Sequence, residues 1–476
     1  MNNIRKFYLV GLISIITLQS CVSTQDVREE NKTVPEHYKN QSNDTLNTAT
    51  VKWKDFFSDP NLIALIDTAL NNNQELNIML QQVGVAKNEI KARKGEYLPF
   101  VGIYAGSEVE KVGEYTRNGA VEKNLNIKEG EKFPEPLSNF SLGFSASWEL
   151  DIWKKLRNGK KAAVLEYLAS IEGKNFMVTQ IVTEISSAYY ELMALDSQLA
   201  IIEQNLSIQE NALRMVKLQK EAAKATQLAV RRFEGDLFKN QSNKYQIQQK
   251  IVETENLINF LVGRYPQPVT RNSTDFITKT VNNMYAGVPS QLLANRPDIR
   301  KSEFELSAAK LNVKVARANF YPSIGIRAGV GLEAFKPKFL SNTPESLLYN
   351  LVGDLVSPLI NRNAIKAEYS TANNRQLQAI YEYEKNILNA YIEVSNQLSK
   401  VKNLKESYRL KEQQVEALTE SIDLSLKLFR SARAEYTEVL LTQREALDSK
   451  IEIIETKRDQ LLANVKLYQA LGGGWN

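Results

Sequence analysis

Helical patterns make up the longest regular stretches of the chain. No proline interrupts residues 158–221, and apolar residues recur there at heptad spacing, with Gln209 at one vacant place. The apolar stripe consists of Leu199, Ile202, Leu206, Leu213 and Val216. This spacing predicts a helix of about 64 residues, roughly 95 Å long, that packs along a neighbouring helix.

A second helical tract, after residue 362, carries two apolar stripes. One stripe consists of Leu404, Tyr408, Val415, Leu418, Ile422 and Phe429, and the other of Leu410, Ala417, Leu424 and Leu428. Two stripes on one helix predict two neighbours, as in a ring of helices rather than an isolated pair. Each tract breaks once, near 222–227 and near 431–436, where short polar turns predict helical hairpins.

Two shorter segments alternate with a period of two. Apolar residues occupy every second position of 140–151 and 323–332, and the residues between them are mostly small or polar. This pattern predicts β-strands with one apolar and one polar face. Segments 98–112 and 346–360 alternate less regularly but would complete a set of four strands. A half-buried sheet of a soluble protein would alternate in the same way, so the pattern alone leaves both environments open.

The same order of features occurs twice along the chain. Pro99 and Pro322 each follow a helical segment and open a pair of strands, and each pair leads into a long helical tract. The two tracts close at Gly263 and at Gly472, Gly473, Gly474 and Trp475. This repetition predicts an internal duplication, with a first repeat at 61–263, a linker at 264–297 and a second repeat at 298–476.

The N-terminus resembles a bacterial lipoprotein signal. Two basic residues precede about twelve mostly apolar residues, a run too short to span a bilayer as a helix. The run ends at Leu18–Cys21, which resembles the lipobox that directs cleavage before a cysteine and its acylation, with palmitate for example. We therefore expect residues 1–20 to be a signal peptide, Cys21 the lipidation site and residues 21–60 an acylated tether and equatorial segment. The alternative is an ordinary signal peptide with an incidental cysteine.

The composition excludes most classes of enzyme and of nucleic-acid-binding protein as functions of this chain. The 476 residues include 60 Lys and Arg against 55 Asp and Glu, a net charge of +5 that is nearly balanced for this length. A polybasic surface for nucleic acid is therefore not expected. His37 is the one histidine and Cys21 the one cysteine, which excludes an intrachain disulfide, a His/Cys metal cage and a Cys–His dyad. We expect neither a metal nor a cofactor.

Four strands cannot close a barrel, and an open sheet edge is not stable in lipid. If the strands cross a membrane, the barrel must be shared, and three copies would supply twelve strands. We therefore predict an internally duplicated α+β membrane protein. Its long helices would form a coiled-coil barrel, and four transmembrane β-strands per chain would complete a 12-stranded barrel as a trimer. No aspartate follows Cys21, so the outer membrane is favoured over the inner one. The charged segment 107–139 is expected outside the cell, and the hairpin turns at the end farthest from the membrane.

Four segments carry motifs of a known family in the right order, behind the lipobox. They are Trp53–Leu62, Trp148–Trp153, Val288–Ile299 and Leu471–Trp475. Together they resemble the outer membrane factor family, the TolC-like channels, and within it the lipoprotein branch of NodT/OprM type. Within the third segment, Arg296, Pro297 and Asp298 are interpreted as structural, since proline suits the first helical position and aspartate the positive helix end.

The resemblance implies a homotrimer with a helical tunnel through the periplasm, anchored by lipid in the cell outer membrane. It also implies a passive duct without enzymatic activity. The partners would be a periplasmic adaptor (membrane fusion) protein and an inner-membrane RND pump, together exporting drugs, metals or other small toxic compounds. An equatorial belt would form from residues 22–60, the linker at 264–297 and the C-terminus.

The periplasmic tip is where the resemblance places selectivity and gating. Glu438 occupies the position of a family aspartate, and three copies would form an acidic ring that favours cations. Leu441 stands where a second acid can occur, so a second ring is not expected. The candidate gate and selectivity residues are Glu438, Arg433, Tyr436, Arg231 and Arg232, of which the arginines could form salt bridges that hold the tip shut. The alternative interpretation is that these charges only keep a helix end hydrated and have no role in gating.

Two other classes of protein compete with the channel. An enzyme would need organised carboxylates or a phosphate-binding glycine loop, and the glycines at 472–474 open no helix. A structural rod spanning the periplasm would account for the helices but not for the strands. Within the channel interpretation, the alternative to RND efflux is an outer-membrane duct for type I, ABC-driven protein secretion.

Overall fold

The structure is a computed structural model of the chain, which describes residues 27–38, 46–281, 284–358, 360, 362–431 and 433–475. The predicted signal peptide and Cys21 lie outside the described residues. The chain divides into two compact units, and each unit draws on both predicted repeats. The first unit contains residues 85–168 and 304–380, and the second contains residues 30–84, 169–303 and 381–476.

The regular elements of the described residues follow the predicted order. The α-helices are α1 Trp53–Phe56, α2 Pro60–Asn72, α3 Gln74–Tyr97, α4 Arg117–Asn124, α5 Lys155–Glu221, α6 Gln227–Val262, α7 Leu292–Asn295, α8 Pro297–Ala318, α9 Asn363–Arg430 and α10 Tyr436–Ala470. The strands are β1 Phe100–Glu110, β2 Asn126–Lys128, β3 Glu131–Lys132, β4 Leu137–Leu150, β5 Ser323–Ala334 and β6 Leu347–Val356. The four predicted strands and both predicted helix breaks are confirmed.

The first unit is built around a four-stranded antiparallel sheet with the strand order β1-β4-β5-β6. Its register aligns the apolar positions of all four strands, because Ile103, Phe144, Val330 and Tyr349 form one cross-strand row. These side chains are largely exposed, from 49% for Val330 to 77% for Tyr349. The sheet therefore carries one continuous, exposed apolar face, as the alternation predicts.

The opposite face of the sheet is small and polar. Gly143 of β4 lies directly across from Gly331 of β5, and the Tyr104 hydroxyl lies close above both. A Cβ atom added to Gly143 would stand 2.5 Å from the carbonyl oxygen of Val330 and 2.7 Å from the Cα of Gly331. Glycine is required at this position because a larger residue would push the two strands apart.

The charged segment between β1 and β4 contains structure that the sequence pattern does not predict. It folds into the short helix α4 and the hairpin of β2 and β3. Glu131 forms an ion pair with Lys336, and Lys111 with Glu135 at 2.7 Å. Ion pairs between exposed groups contribute little to stability, so these two pairs add little to the stability of this segment.

The second unit is held together by the long helical hairpins α5/α6 and α9/α10. In α5, which has 67 residues, Ile202, Leu206 and Leu213 of the predicted stripe are buried against α6. Gln209, at the vacant place of the stripe, is also buried, and its Oε1 accepts a 3.1 Å hydrogen bond from Asn240 of α6. The pairing satisfies a polar group that would otherwise be costly inside a helical interface.

The two stripes of α9 differ in environment. The first, which includes Leu404 and Val415, is half-buried. The second remains uncovered in the single chain, with Leu410 55% and Leu424 58% exposed. The second stripe therefore lacks its predicted neighbour within one chain. None of the helices in the described ranges combines the length and apolarity that a membrane span needs.

Replacing Gly143 with alanine should destabilise the sheet, because the new methyl group overlaps the backbone of β5. The expected loss is about 1–3 kcal/mol, typical of overpacking, and it would appear as a lower thermal unfolding temperature of the detergent-purified protein. Gly353→Ala in β6 is the matched control, since a Cβ there meets no atom within 4 Å. Equal stability of the two variants would contradict the close strand approach.

Candidate functional site

The polar face of the sheet offers a hydrophilic wall of small residues. Ser145, Gly329 and Asn350 form one cross-strand row, and Ser147 and Arg327 belong to the next. The Arg327 guanidinium lies 2.6 Å from the carboxylate of Asp354. Small and charge-paired side chains leave this face open to water while the other face is apolar, which is the arrangement of a membrane channel wall.

Both predicted proline junctions lie at the start of a strand. Pro99 directly precedes β1 and Pro322 directly precedes β5. The Trp153 indole donates a 2.8 Å hydrogen bond to the carbonyl of Pro322, and its ring stacks on Tyr321. Proline lacks an N–H group, so it ends the preceding helix without leaving an unsatisfied donor.

Arg296 joins three parts of the second unit. Its guanidinium donates to Asp298 at 2.6 and 3.0 Å, to Glu393 of α9 at 2.7 Å, and to the carbonyl of Ala470 at the end of α10 at 2.9 Å. The residue is 5% exposed. Burial by itself lowers the pKa of the guanidinium, but the hydrogen bonds and charges of Asp298 and Glu393 raise it above its ordinary value.

The residues around Arg296 explain the other motif positions. Pro297 is the first residue of α8 and Asp298 lies in its first turn, where a negative charge complements the helix dipole. Asp298 thus stabilises the N-terminus of α8 and also accepts hydrogen bonds from Arg296. All three nitrogens of the Arg296 guanidinium donate to protein partners, and the structural role of this motif stays a prediction.

The glycine-rich C-terminus packs against the same region. Gly472 adopts a φ of 93°, and a Cβ there would lie 2.7 Å from the backbone of Asn295. A Cβ on Gly473 would lie 2.2 Å from the ring of Tyr468. The Trp475 indole donates to the carbonyl of Gly472 at 2.9 Å, which closes the turn.

The predicted linker is tied to the helical hairpin by a residue that the sequence interpretation missed. Arg271 donates to both carboxylate oxygens of Asp196 at 2.6 and 2.8 Å, and to Glu255 at 2.5 Å. Asp196 lies on α5 and Glu255 on α6. Burial lowers the pKa of Arg271, and its two carboxylate partners more than reverse this and raise it.

At the turn between α5 and α6, the predicted arginines make local contacts. Arg231 lies 2.9 Å from Glu234 on its own helix, and Glu234 also accepts from Lys217 of α5 at 3.1 Å. The hydrogen bond from Lys217 lowers the pKa of Glu234 below its ordinary value. Arg232 is exposed. The gating role of Arg231 and Arg232 therefore stays a prediction. Among the described contacts of one chain, neither residue contacts the turn between α9 and α10.

At the turn between α9 and α10, Glu438 lies in the first turn of α10 and is exposed. Arg433 is exposed as well, whereas Tyr436 packs against the core between the hairpins. Among the described residues, no ion pair involves Glu438 or Arg433. Both side chains are thus available to face a solvent-filled opening, and their gating role stays a prediction.

One regularity would have located the missed hairpin contacts. Lys217 and Glu234 lie on opposite sides of their turn at roughly similar sequence distances, within three residues of each other, and so do Lys411 and Glu452, which pair at 2.9 Å across the other hairpin. An antiparallel hairpin brings equidistant residues together, so opposite charges placed in this way predict the pairs. Arg271 follows no such rule, because a linker has no fixed period.

No cluster of three or more His, Cys, Asp or Glu side chains in the described ranges is arranged to hold a metal ion. In the second unit, Arg271 and Arg296 join helices through their carboxylate partners, and the sheet of the first unit presents an open wall.

The sequence matches a family model described as outer membrane efflux protein over residues 65–264 and 288–473. The two matched stretches cover most of the chain. The chain belongs to the outer membrane efflux protein family. This agrees with the family resemblance of the sequence motifs.

Similar proteins align with 97% or more of the chain. The cation efflux system protein CusC of Escherichia coli O6:H1 is 26% identical over 467 residues, covering 97% of both chains. The pyoverdine export outer membrane protein OpmQ of Pseudomonas aeruginosa is 26% identical over 475 residues, covering 98% of this chain and 97% of OpmQ. The probable outer membrane lipoprotein SilC of Salmonella typhimurium is 25% identical, covering 99% of both.

The fold agrees with a solved structure of the same family. A crystal structure of CusC superposes with a TM-score of 0.81 at 25% identity, covering 95% of this chain and all of that one. This efflux family member is therefore an outer-membrane channel protein and not an enzyme. Its fold is the duplicated arrangement of long helices and four β-strands that the sequence predicts.

Arg296→Ala should lower the stability of this family member by about 2–4 kcal/mol, because it leaves Asp298, Glu393 and the Ala470 carbonyl without their shared donor. The half-exposed Glu393 can be rehydrated, which keeps the loss below that of a fully buried pair. The measurement is the thermal unfolding temperature of the purified protein.

Arg444→Ala is the matched control, since Arg444 is exposed and lies 3.9 Å from Asp448. It should change stability by less than about 0.5 kcal/mol. If both variants unfold at the same temperature, Arg296 does not join the helices in the way its contacts indicate.

Proposed function

We propose that three copies of the chain form a passive outer-membrane duct that receives small toxic compounds from a periplasmic adaptor and an RND pump. The observation that carries this proposal is the sheet: four strands with one exposed apolar face, one small polar face and two open edges. Each feature needs its own partner, namely lipid, water and further strands.

The strand order allows the ring to close without an irregular joint. Neighbouring strands alternate in direction through β1, β4, β5 and β6, so β1 and β6 run in opposite directions. The β6 edge of one copy can therefore pair antiparallel with the β1 edge of the next. Three copies close twelve strands, which is within the range of known membrane barrels.

The helices give a second argument for several copies. The exposed stripe that includes Leu410, Leu424 and Leu428 on α9 has heptad spacing and no cover within one chain. A neighbouring chain would bury it, as adjacent helices do in a coiled-coil ring. Oligomerisation through the helices and through the sheet edges would then use the same symmetry axis.

The anchoring and the cargo rest on the sequence motifs and the relatives. Cys21 is proposed as the acylated residue, and the relative SilC is described as a lipoprotein. The relatives CusC and OpmQ are described as handling cations and pyoverdine, which are small. The lipobox, Asn295–Asp298 and the glycine-rich ending favour RND efflux over type I protein secretion, which remains the second candidate.

The experiment that tests the assignment places a photo-crosslinking amino acid at Thr437, in the first turn of α10, in living cells. Capture of an adaptor that works with an RND pump is the expected result. Capture of an ABC-linked adaptor would instead assign the chain to type I secretion. The control position is Lys385, exposed on α9 and far along the helix from the turn. If Thr437 captures other outer-membrane proteins alone, the turn does not lie at the periplasmic end.

Glu438→Ala and the isosteric Glu438→Gln should both reduce the cation preference of the channel in planar bilayers. Three copies of the exposed carboxylate would form an acidic ring, and removing its charge removes the attraction for cations. The measurement is the reversal potential in a salt gradient. Glu416→Gln, an exposed charge on α9 away from the turn, is the control. An unchanged reversal potential in both Glu438 variants would refute the acidic ring.

A further inference from the structure

Gln443 lies on α10, and its side chain is buried. It is 2% exposed, and neither its amide nitrogen nor its amide oxygen has a hydrogen-bond partner. An unsatisfied amide inside a protein is costly, and native proteins rarely leave both ends of one unpaired. The burial arises within a single chain, so it does not depend on a neighbouring copy. Both ends of the amide still lack a partner.

The side chain lines a cavity of about 190 Å³ between the two helical hairpins. All four helices contribute to it, with Val216 from α5, Phe233 from α6, Phe429 from α9 and Val439 from α10. Val216 and Val439 are each 1% exposed, and Phe233 is 2% exposed. These walls of the cavity are thus apolar, and its polar lining away from the exposed residues consists of the amides of Gln443 and the half-buried Gln219.

The entrance has a different character. Asn211, Met215 and Arg430 line the cavity and are exposed, so the cavity opens to solvent on their side. Methionine adapts its shape to varied partners and makes favourable contacts with aromatic rings. A molecule could enter between these residues and meet apolar walls before it meets the amide.

The size and chemistry of the cavity define its ligand. An engineered apolar cavity of about 150 Å³ accepts benzene, so this cavity has room for one aromatic ring with a small substituent. A primary carboxamide is the matching substituent, because it donates to the oxygen of Gln443 and accepts from its nitrogen. The ring would lie against Phe233 and Phe429, where aromatic rings prefer offset or edge-on contact.

We propose that the cavity at Gln443 is a binding site for compact aromatic carboxamides. Water is the competing occupant, since the volume would hold a few molecules and the amide could bind two of them. Apolar walls on most sides give water few further partners, whereas an aryl amide satisfies Gln443 and fills the apolar space at once. Binding in this cavity would require neither the pump nor the compound that the duct exports.

The test measures binding of benzamide and of toluene to the purified full-length protein by titration calorimetry. Wild type should bind benzamide saturably. Gln443→Leu should weaken benzamide about 30-fold, because two neutral hydrogen bonds are lost and each contributes a factor of about five. Toluene affinity should rise in that variant, since toluene cannot pair with the amide of Gln443 and leucine removes the cost of leaving it unpaired. Gln413→Leu, an exposed glutamine on α9, is the control and should bind benzamide as wild type does.

A second variant separates the site from other apolar surfaces. Ala212→Phe should fill the cavity from α5 and abolish benzamide binding, since Ala212 lines its wall. Benzamide affinity that is equal in wild type, Gln443→Leu and Ala212→Phe would overturn the proposal. Absence of saturable benzamide binding to wild type would also overturn it and leave water as the occupant.

Discussion

The need of backbone groups for hydrogen-bond partners governs this protein more than any single side chain. The sheet of β1, β4, β5 and β6 satisfies its interior strands but leaves one edge of β1 and one edge of β6 open. Its apolar face belongs in hydrocarbon, where an unpaired N–H or C=O group costs several kcal/mol. The proposed trimer would meet this requirement by pairing the open edges of neighbouring chains.

The helical hairpins obey a related rule for buried polar groups. Gln209 and Asn240 lie in the interface of α5 and α6 and pair with each other. Arg296 lies among three helices and has acceptors on all of them. Gln443 differs from these residues, since it is equally buried and both atoms of its amide lack a partner among the described residues. Because native proteins rarely leave both ends of a buried amide unpaired, its position in a cavity supports the proposed ligand.

Local sequence patterns predicted the strands, the long helices and the turns, because each depends on neighbouring residues. The alternation around Phe144 defines a strand face, and the heptad stripe through Leu206 defines a helix face. The short helix α4 was missed, since a charged segment has no apolar period. Arg271 and Gln443 were missed for another reason: their environments are made by residues distant in the sequence.

The sequence by itself determined the duplicated order of elements, the apolar and polar faces of each strand, and the family motifs around Arg296. These features repeat with the period of the backbone, or depend on residue types such as proline and glycine at single positions. The tertiary structure alone decided the strand register, the partners of Arg271 and Arg296, and the burial of both ends of the Gln443 amide. Such contacts join residues far apart in the chain, and a local pattern holds no information about which distant groups will meet.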